Sequence, residues 1–347
     1  MNRPRQQHYV TRAYLEGFLA RGEKRLYVYT RGKETFFRAL PEKVAKIHNY
    51  YSQRRADGTY DDRVEHMLQT NIEDPGLPVI RRLIAGRYGI SRDARTRLAA
   101  LLAIQEYRVP WMRQQMEDLT AGMLQRFTHA MLDAPGVVEE TILKLNLSDE
   151  AHADATAERM RDAFRSGHVR VAASPNASLR AMAYALEPLI DIYFRMRWEV
   201  LESESLPFVT GDCPVHRYYL PLRKEIPFSG LLDKRVQVRF PLSPKKMLVM
   251  RHDRRRLERE EELLARGRER DASRVMKKAS EIHRVRVSGE EVREINAHTM
   301  TMAAKYVFSP VEVPEAPACL RGECMNVRQV LTDYPGGITE FRAHYPQ

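Results

Sequence analysis

Six polar side chains carry the residue types that hydrolytic chemistry needs: His8, Glu65, Glu73, Gln105, Arg108 and Asp212. A histidine moves a proton near neutral pH, carboxylates hold a cation or orient a water, and arginine steadies a phosphate or a developing oxyanion. On that chemistry His8 is the general acid or base. Glu65 and Asp212 hold a divalent cation, Mg or Mn, or position a water, and Arg108 stabilises the developing charge. Glu73 and Gln105 contact the substrate. Gln105 and Arg108 stand three apart and share a helix face. Glu65 and Glu73, eight apart, lie two turns from each other and roughly 80° round, so both reach one cavity only if it is wide. Asp212 follows an apolar run and precedes Cys213-Pro214, a turn that can hold a carboxylate at a sheet end. A structural reading stands beside this one. A Glu–Arg pair between helices, a Gln on loop carbonyls and an Asx-turn at Asp212 use the same residues.

Two further stretches suggest contact with an anion. Tyr50, Tyr51, Arg54 and Arg55 interleave aromatic and basic groups, a pattern suited to single-stranded nucleic acid. The segment 251–286 holds 13 Lys or Arg against 8 Asp or Glu, with Arg255 central to its densest cluster. Phosphate-backbone contact is one reading of it; a solvated helix laced with i,i+4 pairs is the other. Over the whole chain 57 Lys and Arg face 46 Asp and Glu, a net +11, which favours an anionic partner without locating it.

The elements that must position these groups read as mixed. Residues 25–30 and 35–40 alternate around Arg31-Gly32-Lys33-Glu34, a β-hairpin. Helical periods run over 61–72, 77–85, 92–109, 111–132, 150–164 and 179–196, with Thr11 and Ser91 as N-caps. The methionine stripe from Met112 to Met123 reads as core. Strands follow at 198–201, 208–210, 236–240 and 247–250, then helices at 251–280 and 290–304 and a strand at 306–308. The order lacks βαβ alternation, so the expected class is α+β: mainly a helical bundle, with a small antiparallel sheet built from N-terminal and C-terminal strands. One large domain is expected over 1–347, with subregions 1–74, 75–196 and 197–347.

Several classes drop out. There is no Walker loop, dinucleotide fingerprint, His-Glu-x-x-His or Gly-x-Ser-x-Gly, which argues against P-loop NTPases, zincins and α/β-hydrolases. The opening residues are polar and basic and the longest apolar run, 98–104, is far short of a membrane span, so a cytoplasmic protein with no membrane partner is expected. Three cysteines give no zinc pattern and read as free thiols.

In order along nearly the whole chain, the boxes His8-Tyr9-Val10-Thr11, Tyr14-x-x-x-Phe18, Gln105-x-x-Arg108-x-Pro110, Phe208-Val209-Thr210-Gly211-Asp212-Cys213-Pro214, Phe240-Pro241-Leu242-Ser243-Pro244, Asn296 and Tyr306-Val307-Phe308-Ser309 resemble an uncharacterised bacterial family known only as a domain of unknown function. The chain departs from the family pattern at Thr11, where Pro is usual, and at Cys213, where Asn is more frequent. The resemblance implies a fold and no reaction. From the residues, the expectation is a phosphodiester-directed, nuclease-like hydrolase of DNA or RNA acting in defence. The alternative is a non-catalytic module that binds nucleic acid or protein.

Overall fold

A computed structural model describes residues 6–48, 50–51, 53–54, 60–61, 63–169, 175–219, 224–225, 231, 233–277 and 281–321. It mixes helices with antiparallel sheets. The expected hairpin forms between Leu26–Thr30 and Phe36–Ala39. Tyr306–Ser309 pairs antiparallel on the other side of Leu26–Thr30, and Thr210–Gly211 completes a four-stranded sheet. N-terminal and C-terminal strands therefore meet as the sequence suggests. The junction is tight, because a Cβ on Gly211 would lie 3.0 Å from the Ala303 Cβ.

A larger sheet of six strands corrects the expectation of a single small one. Its centre is the hairpin Val236–Ser243 with Lys246–Arg251, flanked by His216–Tyr219 and Arg197–Glu202. His283–Arg286 adds a parallel edge beside Arg197–Glu202, so the sheet is not purely antiparallel. All of Val236–Ser243 is buried, since both faces are covered. Val236, Val238, Phe240, Leu248, Met250, Trp198 and Val200 point into the main core. On the opposite face Leu201, Met247 and Val249 pack against Val292 and Ile295. Those two belong to the helix Gly289–Met302, which opens on a Ser288/Glu291 capping box.

The chain divides into two compact units. One comprises 1–112 with 182–347, and the other is 113–181. The second unit closes its own core from Leu132, Val138, Ile142, Ala153 and Ala157, with Arg161 bonded to the Leu132 carbonyl (2.9 Å) and to Glu139 (2.7 Å). The methionine stripe splits: Met112 is buried, whereas Met123 is 65% exposed and Phe127 beside it 64%. The expected helix 251–280 is two helices, Arg254–Ala265 and Glu269–Lys277, broken at Gly267 with φ of 68°. Among the described residues no helix is long and apolar enough to cross a membrane.

Two helical runs frame the site. Arg92–Tyr107 starts on Ser91, whose Oγ accepts the Ala94 N–H at 3.1 Å, as its sequence predicts. Arg63–Leu68, a π-helical turn Gln69–Glu73 and Asp74–Ile84 run on without a break. In the wide turn the Asp74 N–H donates to the Gln69 carbonyl, five residues back. Pro75 supplies the reason: it has no N–H for the Asn71 carbonyl, and its ring would strike that carbonyl in a regular helix. Gly76 then lets the Arg92–Tyr107 helix approach closely, since a Cβ there would lie 2.8 Å from the Leu101 Cβ.

Candidate functional site

His8 ends the short strand Gln6–His8, which pairs with Lys46–His48 so that His8 stands opposite Lys46. The chain then turns into the helix Arg12–Glu16. Tyr14 anchors that helix to both sheets. Its hydroxyl donates to the Pro241 carbonyl (2.7 Å) and shares a hydrogen bond with Thr210 Oγ1 (2.7 Å), while its ring stacks on Phe240. Between this segment and the Arg63–Ile84 run lies a cavity of about 360 Å³. His8, Arg12, Tyr51, Glu65, Gln69 and Glu73 are among its walls. That volume suits a ligand of small-molecule size.

Behind the cavity sits a buried polar network centred on Arg108. Its guanidinium donates to Glu73, to Thr11 Oγ1 and to Gln105 Oε1, the last at 2.6 Å from Nη2. Gln105 Nε2 donates in turn to the Tyr9 carbonyl (2.9 Å). Burial is the largest influence and opposes the charge on Arg108, but the Glu73 carboxylate, with smaller contributions from Tyr51 and Tyr50, outweighs it and holds the guanidinium above its ordinary pKa. Gln7 makes a second bridge: its Nε2 donates to Glu65 (2.6 Å) and its Oε1 accepts the Tyr51 N–H (2.6 Å). Thr11 occupies the N-cap position that the sequence assigns it, yet its side chain makes no cap bond, because its hydroxyl is taken by Arg108.

His8 differs from these neighbours. Its Nε2 is buried and has no hydrogen-bond partner. Burial, then the positive charges of Lys46, Arg108 and Arg12, push its pKa below the usual histidine value, against a smaller pull from Glu73. The ring is therefore neutral at pH 7 and stands in a locally positive field, while Glu65 and Glu73 form an acidic opposite wall. Such a ring can accept a proton, and the cations around it favour an anionic group or charge that becomes negative during reaction.

The sequence-derived set thus splits. His8, Glu65, Glu73 and Tyr51 line one cavity. Gln105 and Arg108 lie behind it, and their donors and acceptors serve Glu73, Thr11 and the Tyr9 carbonyl. Arg108 consequently positions Glu73 and Thr11. Asp212 is not among the cavity walls and is corrected to an architectural role. One carboxylate oxygen accepts the Ala304 N–H (2.8 Å), and the other accepts those of Lys305 (2.8 Å) and Tyr306 (3.1 Å). Burial, opposed by these three donors, lifts its pKa to about 6. Glu65 lines the cavity and Asp212 does not, so the two carboxylates expected to share a cation do not face it together, and among the described residues no three His, Cys, Asp or Glu side chains gather as a metal-ligand group. Arg255 is exposed on the Arg254–Ala265 helix, where Arg259 and Arg266 pair with Glu262 as on a solvated face. Arg55 and the side chain of Arg54 lie outside the described residues.

Sequence reasoning missed Gln7, Arg12 and Lys46. Lys46 is found only through strand pairing, whereas Arg12 could have been read from its place one helical turn before Glu16, to which it is bonded at 2.7 Å. Residues 6–310 match a family model described as protein of unknown function (DUF4238). No curated protein and no solved structure matches the chain.

Proposed function

The chain belongs to the DUF4238 family, whose description assigns no activity, and from that premise we propose a phosphodiester-directed, nuclease-like hydrolase with His8 as its general base. The observation that carries this reading is the neutral His8 ring on the cavity wall, with an unpaired Nε2 and Lys46, Arg12 and Arg108 around it. In the proposed step His8 takes the proton of an attacking water or hydroxyl as the new O–P bond forms. The bond from phosphorus to the leaving oxygen breaks, and that oxygen takes a proton from solvent. Arg12 and Lys46 offset the charge that grows on the phosphoryl oxygens. Glu65, Glu73 and Tyr51 shape the opposite wall and fix the substrate's orientation. Nucleic acid is the substrate class that fits the net charge of +11, and defence against foreign DNA or RNA is the setting this reading favours.

Incubation of labelled DNA and RNA with the protein, with and without Mg²⁺ or Mn²⁺, tests it. Cleavage that collapses in His8→Ala while the fold persists supports the assignment; cleavage undiminished in the variant removes His8 from the role. A second reading has its own observation. The Arg108–Glu73–Gln105–Thr11 network closes on itself, as an architectural cluster would, which suits a non-catalytic module that binds nucleic acid or protein. Salt-dependent retention of nucleic acid without cleavage would favour that module.

A further inference from the structure

One end of the large sheet carries cations that the cavity does not use. Lys246 stands opposite Glu202 in the antiparallel pair, and Arg286 meets Glu202 from the parallel edge strand His283–Arg286. Arg284, two residues before Arg286, shares its face. The end of the helix Asp74–Ile84 and the loop 85–91 lie against these residues. Lys246 Nζ donates to the Leu83 carbonyl (3.4 Å) and the Tyr88 hydroxyl (2.8 Å), and it pairs with Glu202 (2.9 Å). Arg82 Nη2 donates to the Gly89 carbonyl (3.1 Å), and the Arg87 N–H to the Arg82 carbonyl (2.9 Å), which fixes the loop to the helix.

Part of this charge is already used. Burial opposes ionisation of Glu202, but hydrogen bonds from Lys246, Tyr88 and Arg284 outweigh it and hold its pKa down to about 2. Glu202 is therefore an anion that answers Lys246 and Arg284. Other cations are left over. Arg81, Arg87 and Lys245 are exposed, and among the described residues their side chains have no ion pair and no hydrogen bond. Arg286 is exposed too and reaches Glu204 only at 4.0 Å. The same helix leads to the His8 cavity. Asp74 and Leu77 are among the cavity walls, and Arg81 continues their stripe one turn further on. From Asp74 to Ile84 the helix axis covers about 15 Å.

From these leftover cations, one helix length from the cavity, we propose that the surface of Arg81, Arg87, Lys245 and Arg286 holds the phosphate backbone of a single-stranded nucleic acid whose end enters the cavity. The proposal deepens the nucleic-acid reading above and rests on it for its partner. Exposed cations without internal partners suit a phosphate chain, because each contact releases a counterion condensed on the strand. The arginine fork also matches phosphate oxygens two at a time. A cavity of about 360 Å³ takes a strand one nucleotide at a time and does not take a base pair, which favours a single strand. An anionic membrane fits less well, since interfacial binding also needs apolar side chains on the same face. Val285 is exposed on the edge strand but alternates to the face away from Arg284 and Arg286.

Fluorescence anisotropy with labelled oligothymidine, oligouridine and a duplex of equal length tests this, beside cleavage of the same probes. Arg81→Gln, Arg87→Gln and Lys245→Gln are combined in one variant that breaks no internal contact. The wild type is expected to bind the single strands more tightly than the duplex. The combined variant should lose at least about tenfold in affinity, and its slope of log affinity against log salt should fall by about 2, at roughly 0.7 per cation. Arg255→Gln should leave both unchanged. Wild-type affinity and slope in the combined variant overturn the proposal and leave the hydrolase reading standing. Binding that the combined variant loses, without cleavage by either protein, upholds the surface and removes the hydrolase reading. No binding of any probe by the wild type overturns both. Tighter binding of the duplex, or retention on anionic phospholipid vesicles in place of the oligonucleotides, also overturns the proposal. Should the combined variant fail to fold, the single substitutions decide: an unchanged salt slope in all three overturns it.

Discussion

The wall of the His8 cavity and the junction that follows the Gly289–Met302 helix are built from the same residue types and differ in what their polar groups touch. At the junction, Arg31 donates to the carbonyls of Met300, Thr301 and Ala303 (3.1, 2.9 and 2.6 Å from Nη2), which the end of a helix leaves unpaired. Asp212 accepts the next three backbone N–H groups, those of Ala304, Lys305 and Tyr306. Arginine and aspartate together complete a stretch of backbone and deliver it into the strand Tyr306–Ser309. At the cavity, Arg108, Gln105 and Gln7 also find partners, yet His8 Nε2 finds none. An ionisable side chain spent on backbone is architecture, and one left over at a cavity is available for chemistry.

The largest expected effect lies on the architectural side of that contrast. Asp212→Ala strips three part-buried N–H groups of a buried carboxylate acceptor and should cost about 2–3 kcal/mol in denaturant unfolding; a loss well under 1 kcal/mol would show that the junction does not depend on it. Arg108→Met leaves Glu73 unpaired. Because the Glu73 side chain is 17% exposed, the cost should be about 2 kcal/mol, below that of breaking a fully buried pair. Gly76→Ala drives a methyl group into Leu101 and should cost about 1–3 kcal/mol by the same measurement. The smallest effect belongs to Arg255→Ala on the solvated helix, within about 0.5 kcal/mol. A large change in nucleic-acid retention there would restore that helix as an interface.

Acid stability sharpens the comparison further. His216, whose pKa falls from 6.5 to about 3 on folding, binds its proton in the unfolded chain first, so stability drops as pH falls from 6.5 toward 3. Asp212 acts in the opposite sense. Its pKa rises from 3.8 to about 6, so the folded chain holds the extra proton and stability declines as pH rises through that window. His216→Gln should therefore flatten the acid limb of the stability curve and expose the Asp212 slope. An unchanged acid limb would show that burial of His216 does not govern it.

Local pattern made much of this legible. Ser91 capping the Arg92–Tyr107 helix, the hairpin around Arg31–Glu34 and the shared face of Gln105 and Arg108 follow from spacing of a few residues. What the sequence hid depends on partners far along the chain. Asp212 meets backbone 92 to 94 residues away, so a carboxylate in a conspicuous box looked catalytic. Thr11 looked like a cap and serves Arg108, 97 residues on. The His283–Arg286 edge strand is exposed throughout and has too little apolar content to announce itself. The π-helical turn at Gln69–Glu73 needed the geometry of Pro75 to be followed carbonyl by carbonyl.

The most direct test of His8 as a base is the pH dependence of nucleic-acid cleavage by the wild-type chain, set beside His8→Gln. The His8 ring must lose its proton to act, and its pKa is held below 6.5. The rate should rise with pH and level off with a midpoint below that value, and the variant should lose that inflection along with roughly 10²–10⁴-fold of the rate. No turnover on any nucleic acid, or a profile that His8→Gln leaves unaltered, contradicts the account.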